Sequence, residues 1–563
     1  MQKFVLDGIK EKMSCAFSYQ KFFRGNTLMV IIPHEDDEIN IAGSLIYGAR
    51  KEGMRVVCVF LTNGDYTYIP DVRIREAVNA LSVLGVSEKD IIFLGYPDGG
   101  GHGEYSVFMH GRETPVRAHG RTETCGGSGI SEFCAAESGV HHEYLWKNLL
   151  RDLENVIRKY LPDGITAIDW DTHPDHRMCS LAFERVMGKI LNGKGNTYQP
   201  KVLKAFAYAT AYEGLKDFYR SNLPSTKINP DKILKKGQPD NPNFLWDRRI
   251  RLPVPESCRT QDLGKNKIFH ALTCHMSQKA MRRAEQIING DQIFWEKRTN
   301  NLCFRGNVYA SSGDSQYLHD FCTMNTDDIV ERETIYRDYL WEPVQEDRNP
   351  WCRCDFETLR DIGAAVFHGN IGHEGRILKG QLIFSNGYRV LVDSLPENGD
   401  ELYVKFPVQK DVQWVQFDIL EREGNHAGLS EWELLPAEAE EMPLLKICAD
   451  DEFAYEWLLE SGKMTEISAY NPSGKELQWF MDARAVTLQE INEACGELNK
   501  PVHVRAERKD RPDICDEAVF LPGSISCRIG KKFLLNKSRM ISWWENQKEK
   551  RPHHALKKEK QKS

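Results

Sequence analysis

The sequence has no hydrophobic run of membrane-spanning length, and its first 25 residues, MQKFVLDGIKEKMSCAFSYQKFFRG, lack the continuous apolar core of a signal peptide. A cytoplasmic protein without a transmembrane segment is therefore expected. Nor is there an excess of positive charge: a net charge of −8 argues against nucleic acid as the main partner. A disulfide framework is missing too, because the 15 cysteines are odd in number and scattered, which fits a reducing compartment. The tightest pair, Cys352-x-Cys354, has no second pair near it, and no metal site is expected there. What remains, 41% hydrophobic and 28% charged, is the composition of a globular protein. At 563 residues it is too long for one core, and about two to four domains are expected.

The most informative stretch is residues 28–43, LMVIIPHEDDEINIAG. An apolar run at 28–32 reads as a buried strand, stops at Pro33-His34-Glu35-Asp36-Asp37-Glu38, and gives way to an apolar-periodic helix. An imidazole and several carboxylates at the carboxyl end of a strand stand where open α/β sheets place their ligands. His34 and Asp37, three residues apart, can share a small cation, and nitrogen with oxygen donors suits zinc. Asp36 could face a bound water. The alternative is that the acids only cap a helix and His34 makes a polar contact. A second elbow, Asp171-Thr172-His173-Pro174-Asp175-His176-Arg177, follows another apolar run at 165–170, and two such elbows after two strands favour a site.

Around these elbows short apolar runs alternate with amphipathic ones. Strands are expected near 28–32, 56–61, 91–94 and 165–169, and helices near 38–52, 71–85, 142–160 and 176–191, giving a Rossmann-like α/β domain with a mostly parallel sheet. Residues 204–211 read as a further strand and 265–288 as a helix. Residues 98–140, rich in Gly, Ser and His, break the rhythm and read as a wall of the substrate cleft, with a surface insertion as the alternative. His119, His141 and His142 in and beside it are expected to be ordinary polar residues.

PHEDDE followed by a distant HPDHR resembles the PIG-L/LmbE-like family of zinc-dependent N-acetylglucosaminyl deacetylases, whose usual first motif is His-Pro-Asp-Asp-Glu. Further matching pieces are Thr62-Asn63-Gly64-Asp65, Arg73-x-x-Glu76-x-x-x-Ala80-x-x-x-Leu84-Gly85, Phe93-Leu94-Gly95-Tyr96-Pro97-Asp98-Gly99 and Lys267-x-x-His270-Ala271-Leu272-x-x-His275-x-Ser277-Gln278. The resemblance covers roughly residues 25–305. It implies zinc, or iron(II) or cobalt(II), on His34, Asp37 and His176. It also implies Asp36 as general base and His173 as oxyanion stabiliser or general acid, with Asp175 orienting His173. Arg73, Asp98 and His275 would lie on the substrate side, while His270 carries no role. The implied activity is N-acetyl removal from a small-molecule or lipid-linked glycoconjugate. A deacylase of non-sugar amides and a noncatalytic zinc- and glycan-binding protein stay open. Glu35 departs from the family by replacing its proline, which puts a negative charge beside the expected metal.

Beyond the α/β domain the helical period disappears. Residues 421–434, EREGNHAGLSEWEL, resemble the last strands of a discoidin-like (coagulation-factor type C) β-sandwich, a jelly roll that often binds sugars; packing or assembly is the other role. The expected division is an N-terminal extension (1–24), the deacetylase-like domain (25–305), this β-sandwich (306–436), a second small β-rich domain (443–525) and a basic tail (526–563). From Arg528 the tail holds 12 Lys/Arg against three Glu and contains Trp543-Trp544. Such a tail is solvated or makes peripheral contact with an anionic membrane.

Overall fold

Four apolar runs without polar alternation, as befits strands covered on both faces, and a fifth strand that carries Lys201 and Lys204 form the parallel part of one sheet. They are β1 (Thr27–Ile32), β2 (Arg55–Thr62), β3 (Ile91–Tyr96), β4 (Gly164–Ile168) and β5 (Lys201–Ala205). In the computed structural model, which describes residues 17–229, 241, 244–330, 338–371, 375–397, 399–438, 441–460, 463–496 and 498–549, β6 (Ile250–Pro253) and β7 (Asp291–Lys297) add an antiparallel edge. The order is β3-β2-β1-β4-β5-β7-β6. Because β1 has β2 on one side and β4 on the other, the chain leaves these two strands in opposite directions and a crevice opens at their carboxyl ends. Both charged elbows fall there. The covering helices, Asp37–Lys51, Pro70–Val83, Trp146–Tyr160 and Pro174–Leu191, lie where the periodicity puts them. Part of the N-terminal extension belongs to this core: Tyr19, Phe22 and Phe23 are buried, and only glycine at 48 and 164 leaves room for the Tyr19 and Phe23 rings.

Two expectations fail in the last third of the domain. The strand at 204–211 ends at Ala205, and Ala207–Tyr212 is instead a single π-helical turn, a form frequent at functional sites. The helix at 265–288 is broken into Lys267–Leu272, a 3-10 turn Ala280–Arg283 and Ala284–Ile287. The break has a cause in side chains: Ser277 gives its backbone N–H and its hydroxyl to the Glu76 carboxylate at 2.8 and 2.6 Å, and Lys279 is left-handed with φ 53°. These bonds satisfy the chain without a continuous helix.

The next module is antiparallel, with strands β8 (Gly306–Ala310), β9 (Trp351–Gly369), β10 (Gly375–Phe384), β11 (Arg389–Val392), β12 (Glu401–Gly424) and β13 (Leu429–Pro436). The long β9 and β12 pair along their length with register shifts between Lys405 and Trp414, so the sheet bends over its own apolar interior. That interior holds Trp341, Phe367, Phe384, Phe417 and Trp432, together with fully buried Cys352 and Cys354. An α/β domain followed by a β-sandwich is the architecture. Residues 443–525 form a three-stranded and a five-stranded sheet. They also contain a helix, Leu488–Cys495, that the strand-like texture hides; Thr487 and Glu490 make its capping box. The basic stretch is ordered as well, as a helix Ile525–Glu549, while residues 550–563 lie outside the described residues.

Charged locks join the modules to the α/β domain. Arg251 of β6 donates to Asp291 at 2.8 Å and to the Asp451 carbonyl at 2.9 Å. Tyr455 donates to the Gly290 carbonyl at 2.8 Å. Arg298, after β7, meets Glu433 of β13 at 2.6 Å and Glu401 at 2.5 Å, and His368 Nε2 lies 2.9 Å from Glu433. Burial pushes the Glu433 carboxyl up, but Arg298 and His368 outweigh it and bring it down to about 2. A carboxylate depressed in the fold stabilises it above the unfolded value near 4.5, and that stability is lost as pH falls towards 2. Glu433→Gln is therefore expected to remove roughly 3 kcal/mol at neutral pH and to flatten the acid limb of stability. Denaturant unfolding of both chains from about pH 7 to about pH 3 measures this; an unchanged acid limb would show that the lock contributes nothing.

Candidate metal centre and active site

After β1 the chain passes through Pro33 and must turn sharply into the helix Asp37–Lys51. Asp36 makes the turn with φ 134° and ψ −21°, a conformation rarely adopted by L-residues and held only where surroundings enforce it. The enforcement is visible. The Asp36 N–H donates to Glu38 Oε2 at 2.8 Å, and Arg73 donates to the Glu35 carbonyl. Arg283 Nη2 donates to Asp36 Oδ2 at 2.6 Å, and Arg73 reaches Asp36 Oδ1 at 3.5 Å. Glu38 is in turn held by His275 Nε2 at 2.7 Å. Arg73 and His275, expected on the substrate side, are both buried, His275 completely, and both brace the elbow.

His34 and His176 meet across the crevice on one oxygen. His34 Nδ1 and His176 Nε2 each lie 3.3 Å from Asp37 Oδ2. Donors about 3.3 Å apart span the edge of a tetrahedron with bonds near 2.0 Å, the size of a zinc site. The remaining ring nitrogens are braced from behind: His34 Nε2 by Asp175 Oδ2 at 2.9 Å, and His176 Nδ1 by Asp171 Oδ2 at 2.9 Å. A carboxylate behind each imidazole is how metal-binding histidines are fixed in tautomer and orientation. The Asp175 carboxylate thus meets His34, while its link to His173, which it was expected to orient, is its backbone N–H, donated to His173 Nδ1 at 3.2 Å. Asp98 Oδ1 stands 3.8 Å from His34 Nε2, at the start of the long irregular segment, and the Gly99 N–H donates to Asp175 at 2.9 Å. That end of 98–140 does wall the site.

The electrostatics ask for positive charge. Burial pushes His176 down, but Asp171 and Asp37 outweigh it and raise it to about 9. His34 is likewise driven well above its ordinary value by Asp98, Asp175 and Asp37 against burial. Asp37 is pushed up by burial, yet the two imidazoles hold it well below the usual carboxylate range. A divalent cation replaces those protons naturally. His173, whose ring lies 4.8 Å from that of His176, behaves oppositely: burial, then His176 and His34, push it down to about 3. It is a neutral imidazole whose Nδ1 accepts, which leaves the proton on Nε2. Glu35 is fully buried with neither oxygen hydrogen-bonded; burial drives it up to about 8, partly offset by Arg73 at 3.6 Å.

Several residues of this arrangement escape a reading of the sequence. Asp171 stands in the second elbow but has no signal separating it from a helix-capping acid. Arg283 sits in what reads as a plain helix. Tyr208 and Tyr212 come from the π-helical turn: they stack at 4.6 Å, Tyr208 lies over His173 at 6.0 Å, and Tyr212 accepts from Arg283. A second constellation, Cys134, His142 and Asp152, is satisfied internally, since His142 Nδ1 meets Asp152 at 2.9 Å and its Nε2 accepts from Arg151 at 3.2 Å. His119 lies 3.9 Å from Asp65, and His141 pairs with Glu132.

Residues 29–187, which supply all six of the expected catalytic and metal-binding side chains, match the family model described as PIG-L: GlcNAc-PI de-N-acetylase. The N-terminal segment carries a PIG-L domain. An antiparallel β-sandwich is appended to it, and residues 301–435 match the family model described as a domain of unknown function (DUF7402). The match to the PIG-L model supports a deacetylase-type hydrolase. No curated protein matches the chain. Among solved structures, the N,N'-diacetylchitobiose deacetylase from Pyrococcus horikoshii is 20% identical over 34% of this chain and 66% of its own, with a TM-score of 0.23. A family 32 carbohydrate-binding module from C. perfringens NanJ, in complex with galactose, is 15% identical over 23% of this chain and 94% of its own, with a TM-score of 0.19. The lectin domain of Lectinolysin is 18% identical over 24% and 97%, with a TM-score of 0.18.

The bracing of the PIG-L domain's imidazoles is directly testable. Asp171→Asn is expected to weaken zinc binding about 10- to 100-fold while the fold persists, and His176→Ala to abolish it. Titration of the purified chains with zinc against a competing chelator measures both; wild-type affinity in either variant would show that these side chains do not hold the ion.

Proposed function

We propose that the PIG-L domain is a metal-dependent hydrolase that removes the N-acetyl group from an N-acetylglucosamine-containing glycoconjugate, with His34, Asp37 and His176 holding zinc. The observation that carries this is the convergence of two carboxylate-braced imidazoles on one Asp37 oxygen, with Asp36 beside them and free of both rings. Bound there, the ion supplies Lewis-acid polarisation of the amide carbonyl and makes a water acidic enough to be deprotonated near neutral pH. The same donors accept iron(II) or cobalt(II).

The chain's own groups perform the remaining work. Asp36 takes the proton of the attacking water; its carboxylate is kept in place by Arg283 and Arg73, and the strained elbow fixes its direction. His173, neutral and carrying its proton on Nε2, donates that hydrogen bond to the oxyanion as the carbonyl carbon becomes tetrahedral. The proton gained by Asp36 then passes to the departing amine. Asp98 accepts bonds from sugar hydroxyls at the mouth of the crevice. The sugar itself rests on the family description, and the amide chemistry on the site.

Acetate release from a panel of N-acetylglucosamine conjugates, measured for wild type and Asp36→Asn with metal quantified on the same samples, tests the reading. Release by wild type alone is expected, with turnover lowered about 10²-fold or more and equal metal in both chains. Equal turnover by Asp36→Asn, or loss of its metal, would overturn the role given to Asp36; no release from any conjugate would remove the sugar substrate.

A further inference from the structure

The C-terminal helix Ile525–Glu549 has two faces of opposite logic. The face against the α/β domain is largely polar. Ser538 is fully buried, donating to the Gln261 carbonyl at 2.6 Å and accepting from the Leu263 N–H at 3.2 Å. Lys537 reaches both Asp262 oxygens at 3.0 Å, and the Arg539 guanidinium lies 4.7 Å from the Tyr219 ring centre. Ile541 packs against the domain's core, and Leu535 is buried as well.

The outward face carries the largest apolar side chains. Ile529, Phe533, Met540, Trp543 and Trp544 are between 58 and 75% exposed. Their spacing of four, seven and three or four residues keeps them on one side of a helix, opposite Ser538. An amphipathic helix ordinarily turns such a stripe inward; here Leu535 and Ser538 are the buried positions while indoles and a benzyl group meet water. Contiguous apolar surface of this kind marks a contact that the isolated chain does not satisfy.

Charge identifies the partner. The helix bears six Lys/Arg against two Glu, and residues 550–563 add six more against one. The 527 residues before Arg528 hold 62 Lys/Arg against 79 Asp/Glu. Positive charge is therefore concentrated beside the exposed stripe, on a body of the opposite sign. Lys532 and Arg528 are exposed next to Phe533 and Ile529.

We propose that this face is a peripheral membrane-docking surface whose occupant is a bilayer bearing anionic headgroups. Ile529, Phe533 and Met540 enter the boundary between headgroups and acyl chains, the two tryptophans sit at the interface, and the Lys/Arg flanks meet lipid phosphates. A second copy docked face to face would bring two such positive helices together, and like charges oppose that arrangement. The inference goes beyond the hydrolase reading and stands without it.

Sedimentation of the full-length chain with vesicles of phosphatidylcholine alone, or mixed with phosphatidylserine, tests this, beside the variant Phe533→Ser/Trp543→Ser/Trp544→Ser. The three side chains point into solvent, so the variant is expected to unfold at the wild-type temperature. The wild type is expected to pellet with the phosphatidylserine vesicles, more weakly as salt is raised, and with a blue-shifted tryptophan emission; the variant binds about tenfold or more weakly. Three results overturn the proposal: no pelleting with either vesicle, equal binding by the variant, or self-association that the variant abolishes without any lipid binding.

Discussion

Two imidazoles sharing one carboxylate oxygen, each pressed from behind by a second carboxylate, form the constraint on which the α/β domain's site depends. His34 comes from the end of β1 and His176 from the helix after β4, and these strands are neighbours only because the sheet order reverses at β1. Moving either strand by one position would separate the rings. The four-carboxylate surround of Asp37, Asp98, Asp171 and Asp175 gives the crevice a negative potential that protons alone satisfy poorly, and a divalent ion satisfies well. Fold and chemistry are coupled at this one point.

Around it lies a second layer of buried charge with a different purpose. Glu38 and His275 hold the Asp36 amide, Arg73 and Arg283 hold its carboxylate, and Tyr212 holds Arg283. These groups make a strained backbone angle affordable and keep Asp36 off the two imidazoles. Glu35 is the odd member. It stands where the resembled motif has proline, its carboxyl is buried without a hydrogen bond, and burial carries it up to about 8. Its side chain packs by Gly64, where any Cβ would collide with it, so the departure at 35 and the glycine at 64 fit each other.

Much of this was legible in the residues. The four covered parallel strands and their helices announce themselves by period, and the two elbows mark the switch point because charge rarely follows a buried strand without purpose. What could not be read were features made by distant side chains. The helix at 265–288 is broken by Glu76, more than 200 residues away in sequence. The partner of Asp175 is His34 and not its near neighbour His173, because the helix start turns the Asp175 backbone, and not its carboxylate, towards His173. Arg283 carries no local signal at all. The C-terminal helix shows the same limit: its basic character is plain in the sequence, but which face is buried depends on Gln261, Asp262 and Tyr219.

The most direct test of the central claim is zinc-edge X-ray absorption on the chain loaded with one equivalent of zinc, compared with the same measurement on His34→Ala. A first shell of nitrogen and oxygen with the outer-shell scattering of two imidazoles, reduced to one in the variant, is the expected result. Sulfur in the shell, or an imidazole count unchanged by His34→Ala, would contradict the assignment and place the ion elsewhere in the molecule.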